Sequence, residues 1–180
     1  MSFSGPRKKV YTEEELYEYA VGALARRMRT VAELKRLLRQ KVEIETEFGR
    51  TLVELIIRKL KDQGYLNDAK YAAAYSSFRR DNEKFGRMRV VQDLKIKGVH
   101  GDIIESVVGA AYADVKEEKL AREFLQRKRI VKPVGQKQAA RVFRMLVRAG
   151  FGSRVIFPIL KKWDVDDETL MALESEVSGQ

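Results

Sequence analysis

Three stretches of this chain share one pattern, in which leucine is followed by basic or small residues and then by an apolar residue. Counted from Leu37 to Leu94 and from Leu94 to Leu146, the spacing is 57 and 52 residues. A repeat of this length indicates a modular array whose units bury their apolar faces partly against each other. Such arrays usually present a long surface to a long partner, so we expect no small-molecule substrate. The stretches are LLRQKV at residues 37–42, LKIKGV at 94–99 and LVRAGF at 146–151.

The composition favours a folded protein without disulfides or bound metal. Of the 180 residues, 44% are hydrophobic, yet no apolar run approaches the roughly 20 residues that a membrane helix needs. The absence of cysteine excludes disulfides and thiolate ligands, and a single histidine removes most zinc chemistry. No apolar stretch near the N-terminus resembles a signal peptide. We therefore expect a cytoplasmic protein with no membrane partner, no cofactor and no metal.

The positive charge is concentrated in one part of the chain. The net charge is +10, from 36 Lys and Arg against 26 Asp and Glu. Residues 114–163 contain 14 basic and 4 acidic residues, whereas residues 164–180 contain 6 acidic residues and no basic one. A focused basic surface attracts polyanions, of which nucleic acid is the first candidate, and the acidic tail could compete for the same cations. A merely solvated basic face is the alternative interpretation.

Apolar residues recur at helical spacing almost throughout, which predicts an all-α protein. Thr12 with Glu15, and Thr30 with Glu33, have the form of capping boxes. The predicted helices cover residues 13–27, 31–41, 51–63, 68–81, 87–97, 102–112, 116–129, 136–149 and 153–162. They group in threes, which predicts three tandem three-helix repeats, and the extra segment 43–50 is either an insertion or an extension of a helix. We expect a flexible basic arm over residues 1–12, repeats over 13–66, 67–113 and 114–163, and an acidic tail over 164–180.

The strongest candidate site is a row of cations in the helix predicted over residues 136–149. Lys137, Arg141, Arg144 and Arg148 are separated by four, three and four residues, so they share one face of the helix. Ala139, Phe143, Leu146 and Val147 would form the opposite, buried face. Stacked cations with no intervening acid repel each other, and a polyanion on that face would turn the repulsion into attraction.

Weaker basic clusters occur at matching points of the three repeats, at the ends of their first helices. Basic residues in a last helical turn also offset the helix dipole, which is the structural alternative for these clusters. Arg87 and Arg89 lie instead near the start of a helix, where the dipole disfavours cations. The remaining candidate contacts are Arg26, Arg27, Arg79, Arg80, Arg127 and Lys128.

Catalytic signatures are absent from the sequence. It has no glycine-rich phosphate loop, no nucleophile elbow and no HExxH motif, and His100 has no neighbour that would make it a ligand or a base. We therefore expect that the protein is not an enzyme and has no catalytic residue.

Four blocks of the sequence resemble the RecX family of regulatory proteins, over about residues 15–162. Lys41 departs from the family pattern, because a glycine usually ends the second helix of the repeat at this point. The blocks read ALARRMRTVAELKRLL at residues 23–38, GYLNDAKYAAAY at 64–75, FGRMRVVQDLKIKGV at 85–99 and LVRAGFGSRVI at 146–156.

The resemblance implies an elongated, curved array of three three-helix repeats that regulates the RecA recombinase. Members of the family bind the RecA filament on single-stranded DNA and inhibit filament growth, strand exchange, ATP hydrolysis and co-protease activity. They thereby modulate DNA repair and the SOS response. The implied partners are the RecA filament and single-stranded DNA, with duplex DNA as a further candidate, and we expect a monomer. Basic residues would contact DNA or acidic RecA loops while the repeats bridge RecA subunits.

Two other functions compete with this interpretation. Paired short helices with a glycine-containing turn are compatible with a helix-turn-helix regulator that binds a preferred duplex sequence. The cation row argues against it, because cations alone suit phosphates rather than base edges. A scaffold without a nucleic-acid role is the third interpretation, and it predicts no salt-sensitive binding to DNA.

Overall fold

The computed structural model describes residues 10–178, and this part of the chain is all-α, with ten helices and no strand. This confirms the predicted fold class, while the repeat boundaries stay a prediction. Residues 1–9 of the expected basic arm lie outside the described part. The helices are α1 (Glu13–Arg26), α2 (Val31–Arg39), α3 (Glu47–Asp62), α4 (Asp68–Asp81), α5 (Arg87–Ile96), α6 (Gly101–Tyr112), α7 (Glu117–Arg127), α8 (Gly135–Arg148), α9 (Ser153–Lys161) and α10 (Asp167–Ser178).

Both expected capping boxes are present. At the start of α1, the Glu15 backbone N–H donates to the Thr12 hydroxyl (3.2 Å), and the Thr12 N–H donates to the Glu15 carboxylate (3.1 Å). Thr30 and Glu33 make the same reciprocal pair at α2, over 3.0 and 3.2 Å. Each box satisfies two backbone donors that a helix start would otherwise leave without partners, which is why these helices begin where the sequence indicates.

The extra segment of the first repeat is partly helix. Thr46 caps α3 by accepting a hydrogen bond from the Gly49 N–H (3.0 Å), so the helix begins at Glu47, four residues before the predicted start. The turn before it is tight, because a Cβ on Gly49 would lie 2.3 Å from the Glu43 carbonyl oxygen. Residues 47–50 of the extra segment therefore extend a helix, as one of the two interpretations predicts, and only a short turn remains between Val42 and Thr46.

The chain divides into two compact units, each with its own apolar core. Among the described residues, the N-terminal unit comprises residues 10–72 and 95–103, and the C-terminal unit comprises residues 73–94 and 104–178. In the N-terminal unit α1, α2 and α3 pack on one another around Leu16, Leu34 and Ile56, each of which is fully buried. In the C-terminal unit α7 and α8 pack on α9, and α10 packs on α8 and α9.

The acidic C-terminal segment is folded as helix α10. Leu170 is fully buried and Leu173 is 6% exposed, so the apolar residues of this segment form a packed face. Asp166 caps the helix, since its carboxylate accepts hydrogen bonds from the Thr169 N–H (2.7 Å) and the Thr169 hydroxyl (2.9 Å). Within residues 10–178, no helix has the length and apolar character that crossing a membrane requires.

A glycine at the end of α5 brings that end against the start of α2, inside the N-terminal unit. Gly98 has φ +76°, and a Cβ added to it would lie 2.4 Å from the Ala32 Cβ. The Thr30 hydroxyl donates to the Lys97 carbonyl (2.7 Å), and the Lys97 ammonium pairs with Glu33 at 3.1 Å. The last turn of α5 therefore satisfies one of its free carbonyls with the residue that caps α2.

The same arrangement recurs inside the C-terminal unit, where the end of α8 meets the start of α5. Gly150 has φ +92°, and a Cβ added to it would lie 2.3 Å from the Arg89 backbone nitrogen. The Gly86 N–H donates to the Ala149 carbonyl (2.8 Å). Gly98 and Gly150 thus have the same role. In the first predicted repeat the corresponding position, after the end of α2, is occupied by Lys41.

Substituting these glycines tests the close approach. Gly98→Ala is expected to lower the free energy of unfolding by about 3 kcal/mol, because the new methyl combines left-handed strain with a clash. Gly150→Ala should cost at least as much, since its nearest neighbour is backbone. Gly64 has the same φ, +76°, but no atom within 4 Å of its Cβ position, so Gly64→Ala should cost only about 1 kcal/mol. Urea denaturation of the three variants measures the difference, and equal losses at Gly64 and Gly98 would contradict it.

Candidate polyanion-binding surface

Helix α8 forms because its apolar residues fall on one side and its cations on the other. Ala139, Val142, Phe143 and Leu146 are buried, while Val147 is half-buried at the edge. The four predicted cations are all exposed, and the helix contains no acidic residue. They extend along roughly 16 Å of the helix, at 1.5 Å per residue. The cations are Lys137, Arg141, Arg144 and Arg148, referred to below as the α8 row.

Within the described part of the chain, only one member of the α8 row has an ion-pair partner. Arg144 Nη1 lies 3.5 Å from Glu176 Oε2, and both side chains are about half exposed. Such an exposed pair stabilises the fold by little, because water screens it. The α8 row therefore keeps most of its charge available to a partner in solution.

The cations at the ends of α1 and α7 are exposed too, but part of their role is local. The Arg26 guanidinium donates through Nε to the Gly22 carbonyl (3.0 Å) of its own helix, as the dipole alternative predicts. The Lys128 ammonium lies 5.9 Å from the centroid of the Phe124 ring, in cation–π range. Arg27 and Arg127 are exposed, and within residues 10–178 neither takes part in an ion pair.

Arg79 is the candidate that the structure involves most deeply in the fold. Its Nη1 lies 2.6 Å from Glu83 Oε2, and its Nη2 lies 2.7 Å from Asp93 Oδ2. Its guanidinium carbon is 4.5 Å from the centroid of the Phe85 ring. Burial alone would lower the pKa of Arg79, but the hydrogen bond that it donates to Asp93 and the nearby carboxylates raise it, so the guanidinium stays charged. The Arg79 side chain is only 18% exposed, which leaves little of it for an external partner.

Asp93 is the centre of this buried cluster. It is 9% exposed, and its carboxylate accepts a hydrogen bond from the Tyr75 hydroxyl (2.9 Å) in addition to that from Arg79. Arg89 Nε lies 3.0 Å from Asp93 Oδ1. Arg89 thus shares its charge with Asp93 while remaining 43% exposed, whereas Arg87 is exposed and without an ion pair among the described residues.

Arg80 joins the end of α4 to the end of α6. Its guanidinium contacts Asp81 through two nitrogens, with Nε–Oδ1 and Nη2–Oδ2 distances of 2.7 and 2.9 Å, and its Nη1 donates to the Ala111 carbonyl. The hydrogen bond to Asp81 raises the pKa of Arg80 and lowers the pKa of Asp81. The structure thus separates the predicted cations into compensated ones, which are Arg79, Arg80 and in part Arg89, and mostly uncompensated ones, of which the α8 row is the largest group.

One further exposed cation, Arg154, was not among the sequence candidates. Arg154 lies in the first turn of α9, after the short connection of residues 149–152 that follows α8. The first turn of α9 contains no acidic residue, and Arg154 has no ion pair in the described part of the chain. As a single cation without repeat spacing, it formed no pattern in the sequence.

No metal centre accompanies this surface in residues 10–178, where no group of three or more His, Asp or Glu side chains could hold an ion. His100 lies 3.3 Å from Asp102, and both side chains are well exposed. What the described part offers is therefore an exposed cationic surface, whose chemistry is the neutralisation of anions.

Comparisons with known proteins point to one family. A family model described as RecX, second three-helix domain, matches residues 67–108. Regulatory protein RecX of Deinococcus radiodurans is 31% identical over 157 residues, which cover 87% of this chain and 72% of that protein. Regulatory protein RecX of Trichlorobacter lovleyi is 31% identical over 151 residues, covering 82% of this chain and 95% of that protein.

A solved structure agrees on the fold. The crystal structure of RecX from Lactobacillus salivarius superposes with a TM-score of 0.64 at 22% identity, over 84% of this chain and 96% of that one. At this level of identity the similarity concerns the arrangement of helices, and it supports a helical-repeat architecture for the described chain.

The division between compensated and uncompensated cations can be tested by stability. Arg79→Met is expected to lower the free energy of unfolding by about 2 kcal/mol, because it removes two ion pairs and leaves the buried Asp93 short of a partner. Arg87→Met, which removes the same charge from an exposed side chain, should change it by less than about 0.5 kcal/mol. Thermal or urea denaturation of both variants measures the effect, and an unaffected Arg79→Met variant would show that the cluster is not structural.

Proposed function

Because this chain belongs to the RecX family of regulatory proteins, we propose that it binds the RecA filament on single-stranded DNA and inhibits RecA. The inhibited activities would be ATP hydrolysis, strand exchange and co-protease function, so the protein would modulate DNA repair and the SOS response. Its contribution would be binding rather than catalysis.

The α8 row is the observation that carries the proposal. Four exposed cations on one face of a helix without acidic residues match the regularly spaced charges of a nucleic-acid backbone better than they match the few charges of a small ligand. Each phosphate that such a cation neutralises releases condensed counterions, so binding to a single strand should weaken as salt rises. Four contacts correspond to a slope of roughly −3 in a plot of log affinity against log salt.

Inhibition would follow from binding several parts of the filament at once. A helical-repeat protein offers contacts along its length, so one molecule can hold the DNA strand and more than one RecA subunit. A molecule that bridges subunits opposes the relative movement that ATP turnover and filament extension require. In this proposal the basic surface binds the DNA strand, and the length of the repeat array allows one molecule to contact more than one RecA subunit.

The competing helix-turn-helix function receives little support from α8. Its two exposed glutamines, which could otherwise contact base edges, are both engaged near the start of the helix. Gln138 Oε1 accepts a hydrogen bond from the Val134 N–H (2.9 Å), and Gln136 lies 3.5 Å from the Thr169 hydroxyl. The remaining exposed polar residues are cations, which favour sequence-independent contact with phosphates.

RecA ATP hydrolysis on single-stranded DNA, titrated with this protein, is the direct test. Strong inhibition at few copies per filament is expected, because one bridging or end-blocking molecule affects many subunits. Inhibition only near saturation of the DNA would indicate simple competition for the strand, and no inhibition would overturn the proposal. A preferred duplex site in a parallel binding assay would favour the helix-turn-helix alternative.

The site can be tested by charge reversal. The double variant Arg144→Glu and Arg148→Glu is expected to weaken RecA inhibition at least about tenfold, because two attractive contacts become repulsive. Both side chains are exposed, so the melting temperature should stay close to that of the unmodified protein. Arg36→Glu with Arg39→Glu on α2 is the matched control, since it makes the same change in net charge at exposed positions of the other compact unit. Equal inhibition by the folded α8 variant and this control would refute the assignment.

A further inference from the structure

Helix α10 sets acidic side chains beside the α8 row. Leu170 and Leu173 fix α10 by burying its apolar face, and α10 packs on both α8 and α9. Between α8 and α10 lies an open groove of about 480 Å³, which Lys137 lines from one side and Glu168 and Glu176 line from the other. The helix is thus held in place by apolar contacts, and its carboxylates stand within reach of the surface assigned to the polyanion.

The two edges of the α8 row differ as a result. Arg144 pairs with Glu176, and Lys137 faces the acid-lined groove. Arg141 and Arg148, which are displaced toward the opposite edge of the stripe by helical geometry, make no ion pair with any described residue. A polyanion approaching the α8 row therefore meets two uncompensated cations and two whose charge the carboxylates of α10 partly offset.

We propose that α10 is a built-in acidic competitor that restrains the polyanion-binding surface of α8. This inference rests on the proposed function for the identity of the polyanion, but not for the contact itself. A bound strand would displace Glu176 from Arg144 and take its place. Because the buried leucines keep α10 attached, the carboxylates remain at a high effective concentration and compete at every encounter.

The restraint is graded, since the contact is exposed. A surface ion pair is worth a few tenths of a kcal/mol to about 1 kcal/mol, so the competitor should weaken binding by about two- to fivefold at low salt. Phosphates spaced regularly along a strand would overcome it, whereas an isolated carboxylate would not. The contact would then favour polyanions with closely spaced charges over the acidic surfaces of other proteins. The carboxylates of α10 would repel both kinds of partner, but only the first would gain enough attraction to displace them.

The test must change charge without removing the helix. Deleting α10 would uncover the apolar surface that Leu170 and Leu173 cover, and changing Asp166 would remove the cap of the helix. Glu176→Gln removes the paired carboxylate while leaving both features intact. Glu174→Gln is the matched control, because Glu174 lies on the same helix, does not line the groove and has no ion pair among the described residues.

The experiment measures two affinities of the full chain and its variants at low salt. One is binding to a fluorescent oligothymidylate, followed by anisotropy, and the other is the salt concentration that elutes each protein from heparin. Glu176→Gln is expected to bind oligothymidylate about two- to fivefold more tightly and to elute from heparin at higher salt. Glu174→Gln should change both values less. In an Arg144→Ala background the Glu176→Gln effect should be smaller, because the directly paired cation is gone and only Lys137 still faces Glu176 across the groove.

The outcomes separate this inference from the proposed function. Equal behaviour of Glu176→Gln and Glu174→Gln, or an effect of undiminished size in the Arg144→Ala background, would overturn the restraint even if the protein inhibits RecA. Later elution of Glu176→Gln from heparin, with no binding of oligothymidylate by any variant, would uphold the restraint and remove single-stranded DNA from the proposed function. The melting temperatures of all variants should agree within about 2 °C, which confirms that the change is electrostatic.

Discussion

The close contact between the end of one helix and the start of another is the constraint on which each unit depends. In the N-terminal unit it joins Gly98, just after α5, to Ala32 of α2. In the C-terminal unit it joins Gly150, just after α8, to Arg89 of α5 and to Gly86, which directly precedes α5. Only a residue without Cβ can combine positive φ with this separation. In two of the three repeated stretches a leucine is followed four residues later by this glycine, and the packing requirement explains that spacing. The α8 row takes its orientation from the helix that this contact anchors.

Charge in this protein has two roles that composition alone cannot separate. Arg79 lies in a buried cluster with Glu83 and Asp93, where the alternative to the ion pairs would be an uncompensated charge in the interior. Lys137, Arg141 and Arg148 are exposed and make no ion pair among the described residues, so their charge acts on the surroundings. The first kind of cation stabilises the fold, and the second kind forms the surface proposed to meet the filament.

What could be predicted from the sequence was local or periodic. The capping boxes at Thr12 and Thr30 and the shared face of the α8 row depend on spacings of three and four residues, and all are present in the structure. The pairing of Arg79 with Asp93 could not be predicted, because it joins residues on different helices and depends on how those helices pack. The start of α3 was placed too late for a related reason: Thr46 caps it within a turn whose tightness comes from the approach of Gly49 to Glu43.

The net charge counted along the sequence is larger than the positive charge that a partner encounters at the folded surface. Residues 114–163 have a net charge of +10, but three acidic residues of the following segment turn back onto them. Asp164 pairs with Lys132, Asp167 with Lys161 and Glu176 with Arg144, which places one acid against each of three neighbouring elements. Since each pair is exposed, these carboxylates adjust the surface potential more than they stabilise the fold. The affinity of this surface for a polyanion is therefore the difference between two opposing contributions of one folded unit, and it depends on salt through both of them.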